Sequence, residues 1–329
     1  MEFVRLEPDQ APNEGGSVFS STGDIIRKAA FPPEDAKFGR STGHGARNLL
    51  RSAASGAAVL AQGLFTALFP SDCRLCATPL TNISQLPVCP NCLSDMAPMV
   101  GATCEICGEG LGSGGFVAED KICPACQESH PHFTRAAAYG AYDGGLRELI
   151  HLLKYERVAP AAVVLGRMLE EAIQKLSLPA DSILVIPVPL HSSKRRERGF
   201  NQAELIARAA LKGNTLPIAE FAADVLERIR PTVSQIGLTR PQRMENIRGA
   251  FRIRHPSRVS GRSVLLVDDV LTTGTTVSEC ARILRKAGAE KVWVATVART
   301  LKESGFETRK FRAEDAALGE ASMKIARAS

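Results

Sequence analysis

Aromatic side chains are scarce, at 5% of the 329-residue chain, with one tryptophan and three tyrosines. A surface that grips bases by stacking needs more rings than this. No phosphate-cradling GxxxxGK[ST] occurs anywhere, which removes the P-loop class of nucleotide hydrolases. The opening stretch MEFVRLEPDQAPNEGG lacks the basic, apolar and cleavage regions of a secretory signal, so a cytoplasmic protein is expected. Long apolar runs are missing too. The most apolar window, Ala53–Phe69 (AASGAAVLAQGLFTALF), is short for a bilayer and follows Arg51, so residues 45–70 are expected to form a packed helix without membrane insertion.

What remains is an ordinary globular composition, 44% apolar and 23% charged, with enough chain for two domains. Residues 1–44 are rich in proline, glycine, serine and charge without periodicity, and are expected to be a disordered leader. Residues 301–329 show no core pattern and are expected to be an accessory tail. The net charge of +6 is unevenly placed. Between Leu190 and Arg262 there are fifteen Lys/Arg against six Asp/Glu, a surplus that exceeds the charge of the whole chain. Such a concentration points to phosphates, on a small molecule or on a nucleic acid.

Eight of the nine cysteines form CxxC pairs: Cys73/Cys76, Cys89/Cys92, Cys104/Cys107 and Cys123/Cys126. Twelve residues separate the first two pairs and fifteen the last two. Each turn aims two thiolates at one point, and two turns complete a tetrahedral sulfur site. Two structural zinc ions in a double ribbon over 71–130 are expected, with no open coordination position for catalysis. Sequential ribbons are assumed, although spacing alone also allows interleaved ones. Cys280, inside a helical pattern, reads as a core thiol.

From Ser182 the pattern alternates between buried strands and helices. SILVIPVPL, VLLV at 264–267 and KVWVATVA read as strands, and TVSECARILRKAG as a helix closed by Gly288. Upstream, a short strand is expected near Ala136–Tyr142, with helices over Gly145–Tyr155 and Pro160–Leu176. In such sheets ligands bind outside the carboxyl ends of the strands, and VLLVDDVLTTGTTV (264–277) places Asp268 and Asp269 there. Without a P-loop, a Walker B role fails; as a phospho-acceptor the motif leaves TTGTT without a task. A threonine loop leading into a helix suits a phosphomonoester, and the adjacent carboxylates suit a polyol. A ribose 5-phosphate group satisfies both.

VLLVDDVLTTGTTV resembles the phosphoribosyl diphosphate (PRPP) signature of type I phosphoribosyltransferases. YDGGLRELIHLLKY (142–155), IPVPLHSSKRRERGFNQAELIA (186–207) and TVSQIGLTRPQRMENIRGAF (232–251) resemble successive motifs of the ComF family, which also carries a cysteine-rich zinc segment ahead of them. The resemblance spans roughly Phe69–Arg299. It implies an α/β, type I phosphoribosyltransferase-like open parallel sheet with a flexible hood over 131–300, preceded by a small zinc-ribbon domain. Asp268 and Asp269 would take the ribose hydroxyls, and Thr272, Thr273, Gly274, Thr275 and Thr276 the 5-phosphate, with a Cβ at Gly274 expected to obstruct the backbone's approach. His191, Lys194, Arg195, Arg196 and Arg198 would lie at the diphosphate loop, and Mg²⁺ would bridge diphosphate and ribose. Arg240, Arg243 and Arg248 of the hood would close over ligand or line a polynucleotide path. The implied role is in DNA uptake or processing, with single-stranded DNA and a competence helicase as partners. The alternative is a metabolic transferase moving ribose 5-phosphate to a nucleobase or amine. The acceptor is not named by any motif, whether catalysis occurs stays open, and nothing in the sequence sets an oligomeric state. His151 and His255 read as structural or surface residues.

Overall fold

The computed structural model describes residues 71–301 apart from 81–84, 112–120, 180–181, 214–215, 217 and 233–238. The expected leader, the 45–70 helix and all but the first residue of the expected tail lie outside the described residues.

Near-continuous apolar runs form a five-stranded parallel sheet, as strands buried on both faces require. Its strands are β1 (Arg135–Ala141), β2 (Ile183–Pro187), β3 (Ala219–Phe221), β6 (Ser263–Leu271) and β7 (Lys291–Arg299), in the order β1-β7-β6-β2-β3. A separate antiparallel pair joins β4 (Leu226–Arg228) to β5 (Phe251–Ile253). The three-residue strands β3, β4 and β5 were not expected, because segments so short carry no legible period.

The helices follow apolar stripes. α3 (Gly144–Lys154) and α4 (Ala161–Gln174) precede β2. α5 (Ser192–Arg198) and α6 (Gln202–Ala210) follow it, α7 (Arg240–Ile247) precedes β5, and α8 (Thr275–Lys286) links β6 to β7. α8 ends where Gly288 adopts φ +93°, a left-handed conformation suited to glycine. α3, α4 and α6 pack on one face of the sheet, with Leu149, Leu165 and Ile206 beside Leu265 and Val267 of β6. α8 packs on the other, its Val277, Cys280 and Leu284 beside Val264 and Leu266. Cys280 is fully buried, as its helical pattern predicts.

The cysteine-rich segment divides between these two faces. Its first half, with α1 (Pro90–Ser94), joins the α3 side through Cys73, Leu86, Val88, Leu93 and Met96. Its second half, with α2 (Pro124–Glu128), joins the α8 side through Cys104, Cys107, Cys123, Cys126 and Phe133. Both helices begin with proline just after a cysteine, where a fixed φ favours a helix start and the lost N–H has no intrahelical task.

One boundary matters for function. The sequence suggests a strand ending at Val267, whereas β6 stays paired with β7 as far as Leu271↔Arg299. Asp268 and Asp269 therefore sit inside a strand, where successive side chains point to opposite faces.

Candidate functional site

α6, downstream of β2, covers one face of the sheet and α8, after β6, covers the other, and the strand order reverses between β2 and β6. A crevice opens at the carboxyl ends of strands at such a switch point. Pairing of Pro187 with Val267, and the Val188 N–H donating to Val267 O at 2.8 Å, bring the segment after β2 alongside the aspartates.

Alternation separates the two carboxylates. Asp269 shares the face of Leu265 and Val267 and is 4% exposed. Its Oδ1 accepts from the Val270 N–H at 2.7 Å, and its Oδ2 lies 2.6 Å from Lys154 Nζ. Burial works against the Lys154 charge, but Asp269 more than offsets it, so the ammonium titrates above its ordinary range. Asp268 is half-buried on the other face. Its Oδ1 accepts from the Asp269 N–H at 2.9 Å, and no cation lies within ion-pair distance among the described residues. Burial, and then the charge of Asp269, push its carboxyl up to about 8.

The sequence motifs do not single out Lys154, but its position carries a signal: it falls on the stripe of Leu146 and Ile150, four residues apart, so the helix carries a lysine into the core and requires a buried carboxylate opposite. Beside it the Tyr142 hydroxyl and His151 Nε2 are 3.0 Å apart, and the His151 and Tyr155 rings meet edge-on. Across the sheet, Arg228 is half-buried with Phe251 under its guanidinium, and its buried Nε has no acceptor among the described residues.

Thr272 and Thr273 are exposed just beyond β6, and the Thr273 and Thr275 hydroxyls are 2.8 Å apart. Gly274 is the N-cap of α8 with φ +76°. Among the described residues a Cβ there would meet only Leu271, at 3.9 Å, so within the protein it is the left-handed backbone that calls for glycine. The segment after β2 is less loop-like than expected. His191 caps α5, its Nδ1 accepting from the Ser193 N–H at 3.3 Å, and no α5 residue is buried. Lys194, Arg195 and Arg196 are exposed, and only Arg195 has an acidic partner among the described residues, Glu204 at 3.5 Å. Arg198 sits 5.6 Å from the centre of the exposed Tyr155 ring. In the hood segment, Thr239 and Gln242 form a capping box that starts α7 at Arg240. Arg243 lies on α7, and Arg248 follows it at an exposed position.

The cysteines form two sequential tetrads, Cys73/Cys76/Cys89/Cys92 and Cys104/Cys107/Cys123/Cys126, with all sulfurs of each within 4.8 Å. Backbone N–H groups of Cys89 and Cys123 donate to Cys73 and Cys104 at 3.2 and 3.3 Å. None of the cysteines forms a disulfide. Crowding splits the thiols, with Cys104 drawn down to about 4 by its hydrogen bond with Cys107 and Cys126 pushed up to about 12 by burial. Four thiolates cannot coexist at this distance without a cation, and a tetrahedral sulfur set suits zinc. The second tetrad is fully buried, while Cys76 and Cys89 of the first are partly exposed. Chelation is therefore expected to release zinc in two phases of equal size, the first at least roughly tenfold faster, since ligand exchange needs solvent access. A metal-indicator time course checks this, and a single phase would contradict it.

A cavity of about 720 Å³ opens beside the threonine loop. Thr272, Thr273, Gly274 and Thr275 line one side and Met244, Ile247 and Arg248 another. The second cysteine ribbon and its exit segment 129–133 close it. Arg243 is not among its lining residues. Arg299, at the end of β7, joins the ribbon to the sheet: its Nη2 donates to Glu109 Oε2 at 2.6 Å and to Cys107 Sγ at 3.4 Å.

Residues 209–312 match the family described as phosphoribosyl transferase domain, and residues 64–129 match the double zinc ribbon domain. The chain is 31% identical over 241 residues to the DNA utilization protein YhgH of Salmonella typhi, covering 70% of this chain and 98% of that protein. Competence protein F of Haemophilus influenzae is 31% identical over 184 residues, 54% of this chain and 78% of that one. Competence protein ComFC of Bacillus subtilis is 22% identical over 201 residues, with coverages of 61% and 79%. Among solved structures, the allosteric regulatory enzyme of purine biosynthesis aligns at a TM-score of 0.27 and 26% identity, over 42% of this chain and 26% of that one.

Proposed function

Because the chain belongs to the ComF family, with DNA utilization protein YhgH and competence protein F among its relatives, we propose that it binds PRPP with Mg²⁺ and acts in DNA uptake or processing. The observation that carries the PRPP reading is Asp268. It is a half-buried carboxylate with no cation within ion-pair distance among the described residues, beside a threonine loop that caps a helix. Such a group calls for polyol donors or a divalent cation, so Asp268 suits a ribose and Mg²⁺. Held beside Asp268, the ion would neutralise diphosphate charge. Asp269, committed to Lys154, would hold the strand end and the field at Asp268 rather than touch the ligand. Thr272–Thr276 would receive the 5-phosphate on hydroxyls and the N–H groups at the start of α8. His191 and the α5 cations would face the diphosphate.

Calorimetry with PRPP and Mg²⁺ tests this. Saturable heat is expected from the wild type, with affinity at least tenfold lower in Asp268→Asn, as loss of a charge-assisted hydrogen bond of about 1.5–3 kcal/mol implies. No PRPP-dependent heat in the wild type would remove the reading.

The relatives' names support the DNA part, and the exposed α5 offers a surface for it. Tyr155, from a distant part of the chain, adds an exposed ring beside Arg198. Single-stranded DNA affinity is expected to fall steeply with salt, and Lys194→Ala/Arg196→Ala to flatten the log–log slope by roughly 1.4, at about 0.7 per phosphate contact. An unchanged slope would rule out this surface.

The cavity favours a second reading, transfer to a small acceptor. An incoming nitrogen lone pair bonds to ribose C1 as the C1–O bond breaks. Its electron pair leaves on diphosphate, and the acceptor N–H proton passes to water.

A further inference from the structure

The second cysteine ribbon is built into the wall of the cavity rather than tethered near it. The His132 N–H donates to Ser278 Oγ at 3.1 Å, tying the ribbon's exit segment to α8. Thr134 N–H donates to Val292 O, and Ala136 N–H to Ile106 O, both at 2.7 Å. Gly108 has φ +68°, and a Cβ there would sit 3.0 Å from Ala136 O, so ribbon and β1 approach as closely as a missing side chain allows. These links leave a fixed wall opposite the threonine loop.

The chemistry of that wall is uneven. Phe133 and Ile247, 5% and 2% exposed, give two apolar surfaces suited to a flat ring. Arg299 is 4% exposed, and after its bonds to Glu109 and Cys107 its Nε and Nη1 have no acceptor among the described residues. Arg248 lines the cavity with no carboxylate partner among the described residues. Buried donors without acceptors are costly, and a guanidinium's planar fork is suited to a carboxylate or phosphate.

We propose that this cavity is the acceptor pocket, that the second zinc ribbon forms its outer wall, and that its ligand is a nitrogen heterocycle carrying an anionic group directed toward Arg299 and Arg248. The assignment rests on the reading that PRPP occupies the threonine loop, because that loop lines the same cavity.

The test uses the full chain loaded with zinc. Orotate is compared with uracil, and nicotinate with nicotinamide, by calorimetry with and without PRPP–Mg²⁺, after PRPP has been titrated alone. In at least one pair the acid is expected to bind tenfold or more tightly than its neutral partner. Arg299→Lys, which keeps the charge and loses the fork, is expected to reduce that affinity at least tenfold with the zinc content unchanged. Met244→Trp lies at a half-exposed position on the cavity wall and fills the space without disturbing the core. It should abolish acid binding and leave PRPP heat intact. Equal binding within both pairs, no binding by either acid, or acid affinity untouched in Met244→Trp would overturn the assignment. PRPP heat without acid preference sinks the pocket and spares the PRPP reading. Acid preference without PRPP heat sinks the PRPP reading and keeps an anion pocket behind the ribbon.

Discussion

Replacing Lys154 by methionine is expected to cost about 3–5 kcal/mol of folding stability, because it strands a charged carboxylate in the core. Asp269 is 4% exposed, and Lys154 is the cation within reach of its Oδ2. Methionine matches the lysine stem in length, so the packing of α3 on the sheet is largely kept and the loss is electrostatic. Lys154→Met/Asp269→Leu should then recover most of the stability, since removing both partners leaves no orphan. Urea unfolding of the two variants, at equal zinc content, measures the difference. If the single variant loses less than 1 kcal/mol, or the double loses as much as the single, the pair does not anchor this strand end. The consequence for the site is geometric, because Asp269 fixes the backbone from which Asp268 projects.

The second large effect is a pH dependence with a definite sign. Asp268 carries its proton up to about pH 8 in the folded protein, against about 4 for an ordinary aspartate. The native state then holds more protons than the unfolded chain across that window. Stability contributed by protonated Asp268 is complete below about pH 4 and is lost as pH rises through the folded value. Asp268→Asn keeps the shape and removes the titration, so its stability relative to the wild type should climb by roughly 3 kcal/mol between pH 5.5 and 7.5, at about 1.4 kcal/mol per pH unit. Zinc-ligand titration is common to both proteins and cancels in the comparison. A difference that stays flat would show that Asp268 is ionised throughout. PRPP with Mg²⁺ should strengthen in binding over the same range, because the ligand requires the ionised form.

The cysteine spacing, the apolar runs and the DDVLTTGTT motif follow from local chemistry: thiolate geometry, strand burial and loop composition act over a few residues, so one segment suffices to reveal them. The core elements expected from Ala136 to Ala298 are present with boundaries shifted by a few residues at most, apart from the end of β6. That end could not be read locally, because it depends on β7 continuing to pair at Leu271↔Arg299. From that pairing follows the opposite facing of the two aspartates, which the motif presents as a matched pair.

Partners distant in the chain were equally illegible. Lys154 lies 115 positions from Asp269, Tyr155 lies 43 from Arg198, and Glu109 lies 190 from Arg299. The motifs therefore established the kinds of chemistry: two sulfur tetrads, a phosphate loop, two carboxylates and a basic stretch. Packing then committed Asp269 to a lysine, left Asp268 without a counter-cation among the described residues, and set one ribbon on each face of the sheet. Those outcomes depend on which surfaces meet when the sheet closes, and burial gives a charge its consequence only once its neighbours are in place.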